Sequence, residues 1–444
     1  MKGMNVYISG ISGTGLGPLA LMAQEAGMTV FGSDLAGGAV TNELVEHGIK
    51  IYLGEQDGEF LRARAKDEGV DWFVYTSALP ADHPELKLAQ KLGLKISKRD
   101  EFLNYLIAKL DLRLVAVAGT HGKTTTTAMI IWGAQQLGLK LSYIVGTTLP
   151  FAEAGHYDPE ADYFVYEADE YDRNFLAFHP WLAAIPTVTY DHPDIYPTEE
   201  DYRAAFRQFE EQSETVLHGD EIDSGLTLAG EARRYDATLA IDVLERLLPR
   251  ERGLKGVMAA RQRHRELVRI MNEFPGVGRR FEQIAEGIYS DYGHHPEEVA
   301  ATVEVAIEEA ERRGLKGVVA LYEPHQNARQ TELIDEYAGA FRGVTHLYWL
   351  PTYLVRENPA LKVLKPEDFI AKLENRKAAE AAEPNEALAE AIWKWHDEGY
   401  LVILMTAGPA DGWLRKVVYA GNQRSAATQL VHAPRSADEG SERE

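Results

Sequence analysis

The sequence predicts an α/β protein, and three stretches carry that prediction. Leu114-Val-Ala-Val-Ala118 runs straight into Gly119-Thr-His-Gly-Lys-Thr-Thr-Thr-Thr127 and then Ala128 to Gln136, which reads as buried strand, glycine turn and helix. Near the start, Asn5 to Ser9, Gly10-Ile-Ser-Gly-Thr-Gly15, the helical stretch Pro18 to Ala26 and Thr29-Val-Phe31 give strand, turn, helix and strand, closed by Asp34. Further on, the apolar runs Tyr163 to Tyr166 and Leu182 to Thr189 each deliver a polar cluster, as parallel strands do at their carboxyl ends.

Composition sets the bounds. With 444 residues, 45% of them hydrophobic, the chain is long enough for about two to four packed domains. A net charge of −23 opposes nucleic-acid partners, because a polyanion meets a repulsive average field. The absence of cysteine removes disulfides, thiolate zinc sites and cysteine nucleophiles together. Met1 to Gly10 has no signal-like apolar core and no later run of about 18 apolar residues occurs, so a cytoplasmic location without membrane insertion is expected.

Through residue 110 the strands Asn5 to Ser9, Thr29 to Phe31, Ile49 to Tyr52, Trp72 to Thr76 and Lys95 to Ser97 alternate with helical segments, as in a Rossmann-type domain. Two other readings of this part stay open. One is a dinucleotide dehydrogenase with Asp34 on a ribose, the other a glycine turn that only lets a helix pack closely on a sheet.

The loop after Ala118 suits a triphosphate. Gly119 and Gly122 let main-chain N–H groups close on phosphate oxygens, and the helix N-terminus adds positive potential. Lys123 then reaches the terminal phosphates and the Thr124 hydroxyl reaches Mg²⁺. The loop is a shortened form, since Val117 stands where the common consensus has its first glycine.

Beyond it, Glu167-Ala-Asp-Glu-Tyr-Asp172 places carboxylates at a strand end, where metal ligands gather, and Tyr190-Asp-His-Pro-Asp194 ends the next strand. A helix over 199–212 follows, and the basic stretch with Arg261, Arg263, Arg265 and Arg269 reads as a solvated helix face, with a phosphate-facing surface as the other reading. Gly287 to His295 brings Asp291, Tyr292 and His294 to the mouth of a sheet, before Pro296 and a helix to about Arg313. Val318 to Leu321 delivers Tyr322-Glu-Pro-His-Gln-Asn-Ala-Arg329, whose arginine can pair with a carboxylate. His346 to Trp349, Lys362-Val363 and Leu401 to Met405 read as strands, Glu386 to His396 as a helix, Lys377 to Pro384 as a surface link and Pro434 to Glu444 as a loose tail.

Taken together, Gly119-Thr-His-Gly-Lys-Thr124, Glu167 to Asp172, Asp191-His-Pro-Asp194, Arg279-Arg-Phe-Glu282, Asp291 to Pro296 and Pro324 to Arg329 resemble the signatures of the Mur ligases. Gly10 to Gly15, Gly32-Ser-Asp34 and Tyr75-Thr-Ser-Ala-Leu-Pro80 resemble the amino-terminal domain of the members that act on UDP-muramate. The resemblance implies three domains: a Rossmann-like UDP-substrate domain over 1–110, a shortened central ATP-binding domain with a mainly parallel sheet over 111–277, and a Rossmann-like α/β amino-acid domain over 278–444. It implies that Gly10, Gly13, Thr14, Gly15, Asp34, Ser77, Tyr292 and His325 bind substrates. ATP falls to Gly119, Thr120, His121, Gly122, Lys123, Thr124, Thr125, Arg279 and Asp291, and Mg²⁺ to Thr124, Glu167 and His192. Lys123, Glu167, His192, His294 and Arg329 are the implied catalytic set. The base that frees the amine is left among His192, His294 and His325.

The implied reaction joins the carboxylate of UDP-N-acetylmuramate to L-alanine through an acyl phosphate, in a monomer or homodimer. A tripeptide is an alternative amine, and a homologue that binds nucleotides without ligating is the other reading. Two departures stand out. The stretch that seats adenine in the family, Gly-x-His-Asn-x-x-Asn-Ala, is here Gly230-Glu-Ala-Arg-Arg-Tyr-Asp-Ala237, and Gln326 stands where an arginine is usual.

Overall fold

The computed structural model describes residues 3–38, 40–76, 79–192, 195–249, 253–354, 357 and 361–432. The chain divides into two compact units, Met1–Gly278 and Arg279–Glu444. Ser77, Asp194 and the segment 434–444 lie outside the described residues.

The first unit holds two sheets. Strands β1 (Asn5–Ser9), β2 (Thr29–Asp34), β3 (Lys50–Leu53), β4 (Trp72–Tyr75) and β5 (Lys95–Lys98) pair in the order β3-β2-β1-β4-β5, every pair parallel. Helices α1 (Gly17–Glu25), α2 (Thr41–Glu46), α3 (Glu59–Asp67) and α4 (Pro84–Lys91) make the crossovers, the connection that parallel strands require, and α5 (Arg99–Lys109) leads on to the second sheet. The second sheet is built from β6 (Arg113–Val117), β7 (Ser142–Ile144), β8 (Gly155–His156), β9 (Tyr163–Glu167), β10 (Leu182–Ile185) and β11 (Val216–His218), ordered β11-β10-β6-β9-β7-β8. Only the β7–β8 pair is antiparallel. Helices α6 (Lys123–Gln136), α7 (Glu199–Glu211), α8 (Glu231–Leu247) and α9 (Gly253–Asn272) belong to this sheet.

One apolar core runs through both sheets, from Val6, Ile8 and Leu19 to Val115, Phe164 and Leu244, all essentially sealed from solvent. The joint between them is tight. Gly155 packs on the main chain of α1 so closely that a Cβ there would lie 2.1 Å from the Pro18 carbonyl oxygen.

The second unit carries one sheet. Its strands β12 (Glu282–Ala285), β13 (Ile288–Asp291), β14 (Val318–Glu323), β15 (His346–Trp349), β16 (Ala379–Ala381) and β17 (Leu401–Thr406) are ordered β12-β13-β17-β14-β15-β16, parallel apart from β12 against β13. The remaining helices are α10 (Pro296–Arg312), α11 (Asn327–Leu333), α12 (Pro366–Ile370), α13 (Glu386–Asp397) and α14 (Ala410–His432). Apolar clusters cover both faces of this sheet, and β14 and β17 are buried along their whole length, as parallel strands between helix layers must be.

Three expectations are corrected. Lys362-Val363 is not a strand; the edge strand is β16, inside the stretch read as a surface link. Its Ala-Glu-Ala sequence has little strand propensity, and pairing with β15 decides its conformation. The strand that starts at Leu182 stops at Ile185, because Pro186 has no N–H to give the ladder.

Candidate active site

The phosphate loop is shaped by its glycines. Gly122 has φ +81°, and a Cβ on it would sit 2.4 Å from Asp236 Oδ1 and 2.8 Å from Pro186 Cβ. A Cβ on Gly119 would lie 2.8 Å from the Thr187 carbonyl oxygen. Thr120 faces inward: its N–H donates to Thr187 O at 2.8 Å, and its hydroxyl meets Thr189 O and Tyr202 Oη, each at 2.7 Å. It therefore knits the loop to the end of β10 and to α7. His121 and Thr125 stay partly exposed. Asp236, standing where the family has its second asparagine, is buried on α8 against this turn.

Lys123 begins α6 and turns back over the loop, donating to Gly119 O at 2.5 Å and to Thr120 O at 3.1 Å. Its ammonium also lies 2.7 Å from Glu170 Oε2. Burial pulls the lysine pKa down, but the charge of Glu170 outweighs it and the net shift is upward. Burial likewise raises the Glu170 carboxyl, and Lys123 with His192 more than reverses this, so it ends below its ordinary value. Glu170 was not among the sequence candidates. It is the second glutamate of a run with four carboxylates, Glu167 to Asp172, and nothing in the spacing says which one meets the lysine.

Thr124 Oγ1 donates to Glu167 Oε1 at 2.7 Å, and the other oxygen of Glu167 accepts from Gly146 N at 3.0 Å. His192, at φ +57°, stands 3.4 Å from Glu170 Oε1 and 3.6 Å from Asp191 Oδ2, with Tyr171 packed edge-on at 5.1 Å. Thr124 and Glu167 thus touch directly, while His192 joins them through Glu170 and Lys123. A hydroxyl, a carboxylate and an imidazole beside an anion-binding turn fit a small divalent ion with triphosphate. Asp172 and Arg173 also carry positive φ, so left-handed backbone concentrates on this side of the site.

At the first sheet, Gly10 has φ +85°, and the N–H groups of Gly10 and Ile11 both donate to Ser33 O. Gly13 and Thr14 are exposed at the turn. Asp34 Oδ2 accepts from Ser12 N at 2.9 Å, so the acidic residue braces the turn itself. Arg99 is a cation that the sequence reading missed: a Cβ on Gly15 would lie 2.7 Å from its Nη1, and its Nε donates to Asp100 at 2.9 Å.

The remaining candidates belong to the second unit. Asp291 is buried and accepts from Phe281 N, Gly293 N and Thr302 Oγ1, and burial pushes its carboxyl up. Its oxygens therefore brace the start of this unit. Arg279 lies over the Tyr292 ring at 4.7 Å and donates to Thr406 O. His294 and His325 meet edge to face at 5.6 Å, at the ends of β13 and β14. Burial lowers the His294 imidazole, Glu298 opposes that and the charge of Arg329 adds to it, so these three groups lie close together.

A shortened phosphate loop flanked by carboxylate-bearing strand ends, on one of three mainly parallel sheets, defines a phosphate-loop α/β protein. Residues 5–110 match the Mur ligase family, catalytic domain; 117–224 match the Mur ligase middle domain, and 279–408 the Mur ligase, glutamate ligase domain. The chain belongs to the Mur ligase family. It is 32% identical to the UDP-N-acetylmuramate–L-alanine ligase of Syntrophomonas wolfei, over 75% of this chain and 79% of that one. It is 29% identical to the enzyme of the same name from Clostridium acetobutylicum, over 79% and 84%. Its fold is similar to that of UDP-N-acetylmuramate-alanine ligase from Thermotoga maritima, with a TM-score of 0.73 and 20% identity over 95% of this chain and all of that one. The murein peptide ligase of Psychrobacter arcticus follows at 0.60 and 20%, over 94% and 98%. Among the described residues, no helix is long and apolar enough to cross a membrane.

Proposed function

We propose that the chain is an ATP- and Mg²⁺-dependent ligase that joins the lactyl carboxylate of UDP-N-acetylmuramate to the α-amine of L-alanine. The observation that carries this reading is the Thr124–Glu167 contact beside Lys123 on the glycine turn, together with relatives of that name. Lys123 and the first-turn amides of α6 hold the terminal phosphates, and Mg²⁺ on Thr124, Glu167 and His192 offsets charge on the transferring phosphoryl group when bound. The carboxylate oxygen takes the γ-phosphoryl and ADP leaves. The amine then attacks the acyl carbon, phosphate leaves, and the surplus ammonium proton passes to a histidine. Among the three candidates we favour His294, which stands edge to face with His325 at the strand ends of the second unit and close to Arg329. Arg99 beside Gly15 gives the first sheet a cation for the pyrophosphate of the UDP group.

ADP release with ATP, Mg²⁺, UDP-N-acetylmuramate and L-alanine tests the proposal. Release that requires every component, and falls by at least about 10³-fold in Lys123→Ala, is expected. Release with a tripeptide but not with L-alanine would identify the other amine. No release with either, although UDP-N-acetylmuramate binds, would mark a nucleotide-binding homologue that no longer ligates.

A further inference from the structure

Away from the phosphate loop, the joint between the first two sheets gathers charge that the proposed reaction does not use. Glu25 ends α1, His47 follows α2, and Glu153 precedes β8. One ligand atom from each lies within 4.8 Å of the other two, and among the described residues this is the group of three histidine or acidic side chains so placed. His47 Nε2 is 2.7 Å from Glu153 Oε1. Glu25 accepts from Tyr157 N at 2.6 Å and lies 3.1 Å from His156 Nδ1, which brings a second imidazole to its edge. All three are partly buried, so a ligand there would be half-shielded from water.

A second observation comes from α2. Glu43 Oε2 is shielded from solvent and has no hydrogen-bond partner, although it lies near enough to Glu153 and His47 to feel their charges. Burial raises this carboxyl; the N–H of Ala154 opposes that, and the charge of Glu153 adds to it. Tyr143, against the His156 ring at 5.6 Å, has its phenol raised by burial and then by Glu153, Glu25 and Glu43. Three carboxylates and two imidazoles thus crowd one spot, a charge density that a bound cation relieves.

We propose that Glu25, His47 and Glu153 bind a divalent ion of the zinc class across the joint between the first two sheets. Imidazole with two carboxylates suits zinc, cobalt or nickel, which hold a nitrogen donor more tightly than magnesium or calcium does. The ion would fasten α1 and α2 of the first sheet to the β8 segment of the second. Its role is structural, and the proposal stands apart from the catalytic reading.

The test is zinc titration of the chelator-stripped full chain in saturating Mg²⁺, followed by calorimetry and thermal unfolding. One zinc per chain and an unfolding temperature that climbs with zinc concentration are expected. His47→Gln and Glu153→Gln should each weaken binding by more than about tenfold, and Glu167→Gln should leave it unchanged. Cobalt in place of zinc should give a visible spectrum that changes in His47→Gln, a readout that needs no comparison of stabilities. No uptake, uptake indifferent to His47 and Glu153, or uptake lost with Glu167 would each overturn the proposal.

Discussion

Lys123 is held by the chain itself. Its ammonium sits between two loop carbonyls and Glu170, which is only 2% exposed, so removing the carboxylate strands a buried cation. Glu170→Ala should therefore cost about 3 kcal/mol in urea unfolding, and Glu170→Gln less, because the amide oxygen still accepts from the lysine. The pH dependence has a fixed sign. Since the folded-state pKa of Glu170 is depressed, its contribution is complete above the ordinary 4.5 and fades as pH falls through the lower folded value. Unfolding curves below pH about 4.5 should converge for wild type and Glu170→Gln; a constant gap would refute this assignment. At this scale the sequence was uneven. Lys123, Thr124 and Glu167 were readable because strand, turn and helix fix their register, whereas Glu170 and Arg99 act through chain segments that no spacing rule connects.

The start of α6 depends on Gly122. Alanine there would hold a left-handed backbone at about 1–2 kcal/mol and drive its Cβ into Asp236 and Pro186. Gly122→Ala is expected to raise the KM for ATP and lower the unfolding temperature; an unchanged KM would show that the loop adapts. Further along the central domain, α9 is pinned by His264, whose Nδ1 lies 3.0 Å from Glu245 on α8 and whose Nε2 lies 2.7 Å from Asp223. Burial lowers this imidazole, but the two carboxylates outweigh that and raise it above the ordinary 6.5. The pin is therefore complete below about pH 6.5 and is lost as pH rises through the folded value. Amide exchange in α9 should quicken across that range in wild type and be fast and pH-independent, after correction for intrinsic exchange, in His264→Gln. The exposed Arg261, Arg265 and Arg269 make the other face of α9 the solvated surface that its composition suggested. Long periodic elements were legible in this way. The two-residue β8 and the Ala-Glu-Ala strand β16 were not, because pairing with distant neighbours creates them.

For the whole molecule, the sheets and the compact units do not coincide. Two sheets share one core within Met1–Gly278, and the third has its own core in Arg279–Glu444. A fragment ending at residue 278 should melt in one cooperative transition, and the 279–444 fragment should fold alone. The first 110 residues by themselves should bind a hydrophobic dye and melt broadly, since they lose the cover that the second sheet provides; a sharp melt would show an independent domain. Three α/β sheets were foreseeable from alternating strands and helices, but the fusion of two of them was not, because it depends on Gly155 meeting Pro18 closely enough for both sheets to share one core. That contact has a bearing on descent and on engineering. Main chain resting on main chain fixes how closely the two sheets approach, and the side chains around it, His47 with Glu153 and Glu25 with His156, are fitted to that spacing, so residues 1–278 should travel as one inheritable block. Chimaeras that exchange the first domain alone should fail at this joint, while those that exchange the whole block up to Gly278 should fold.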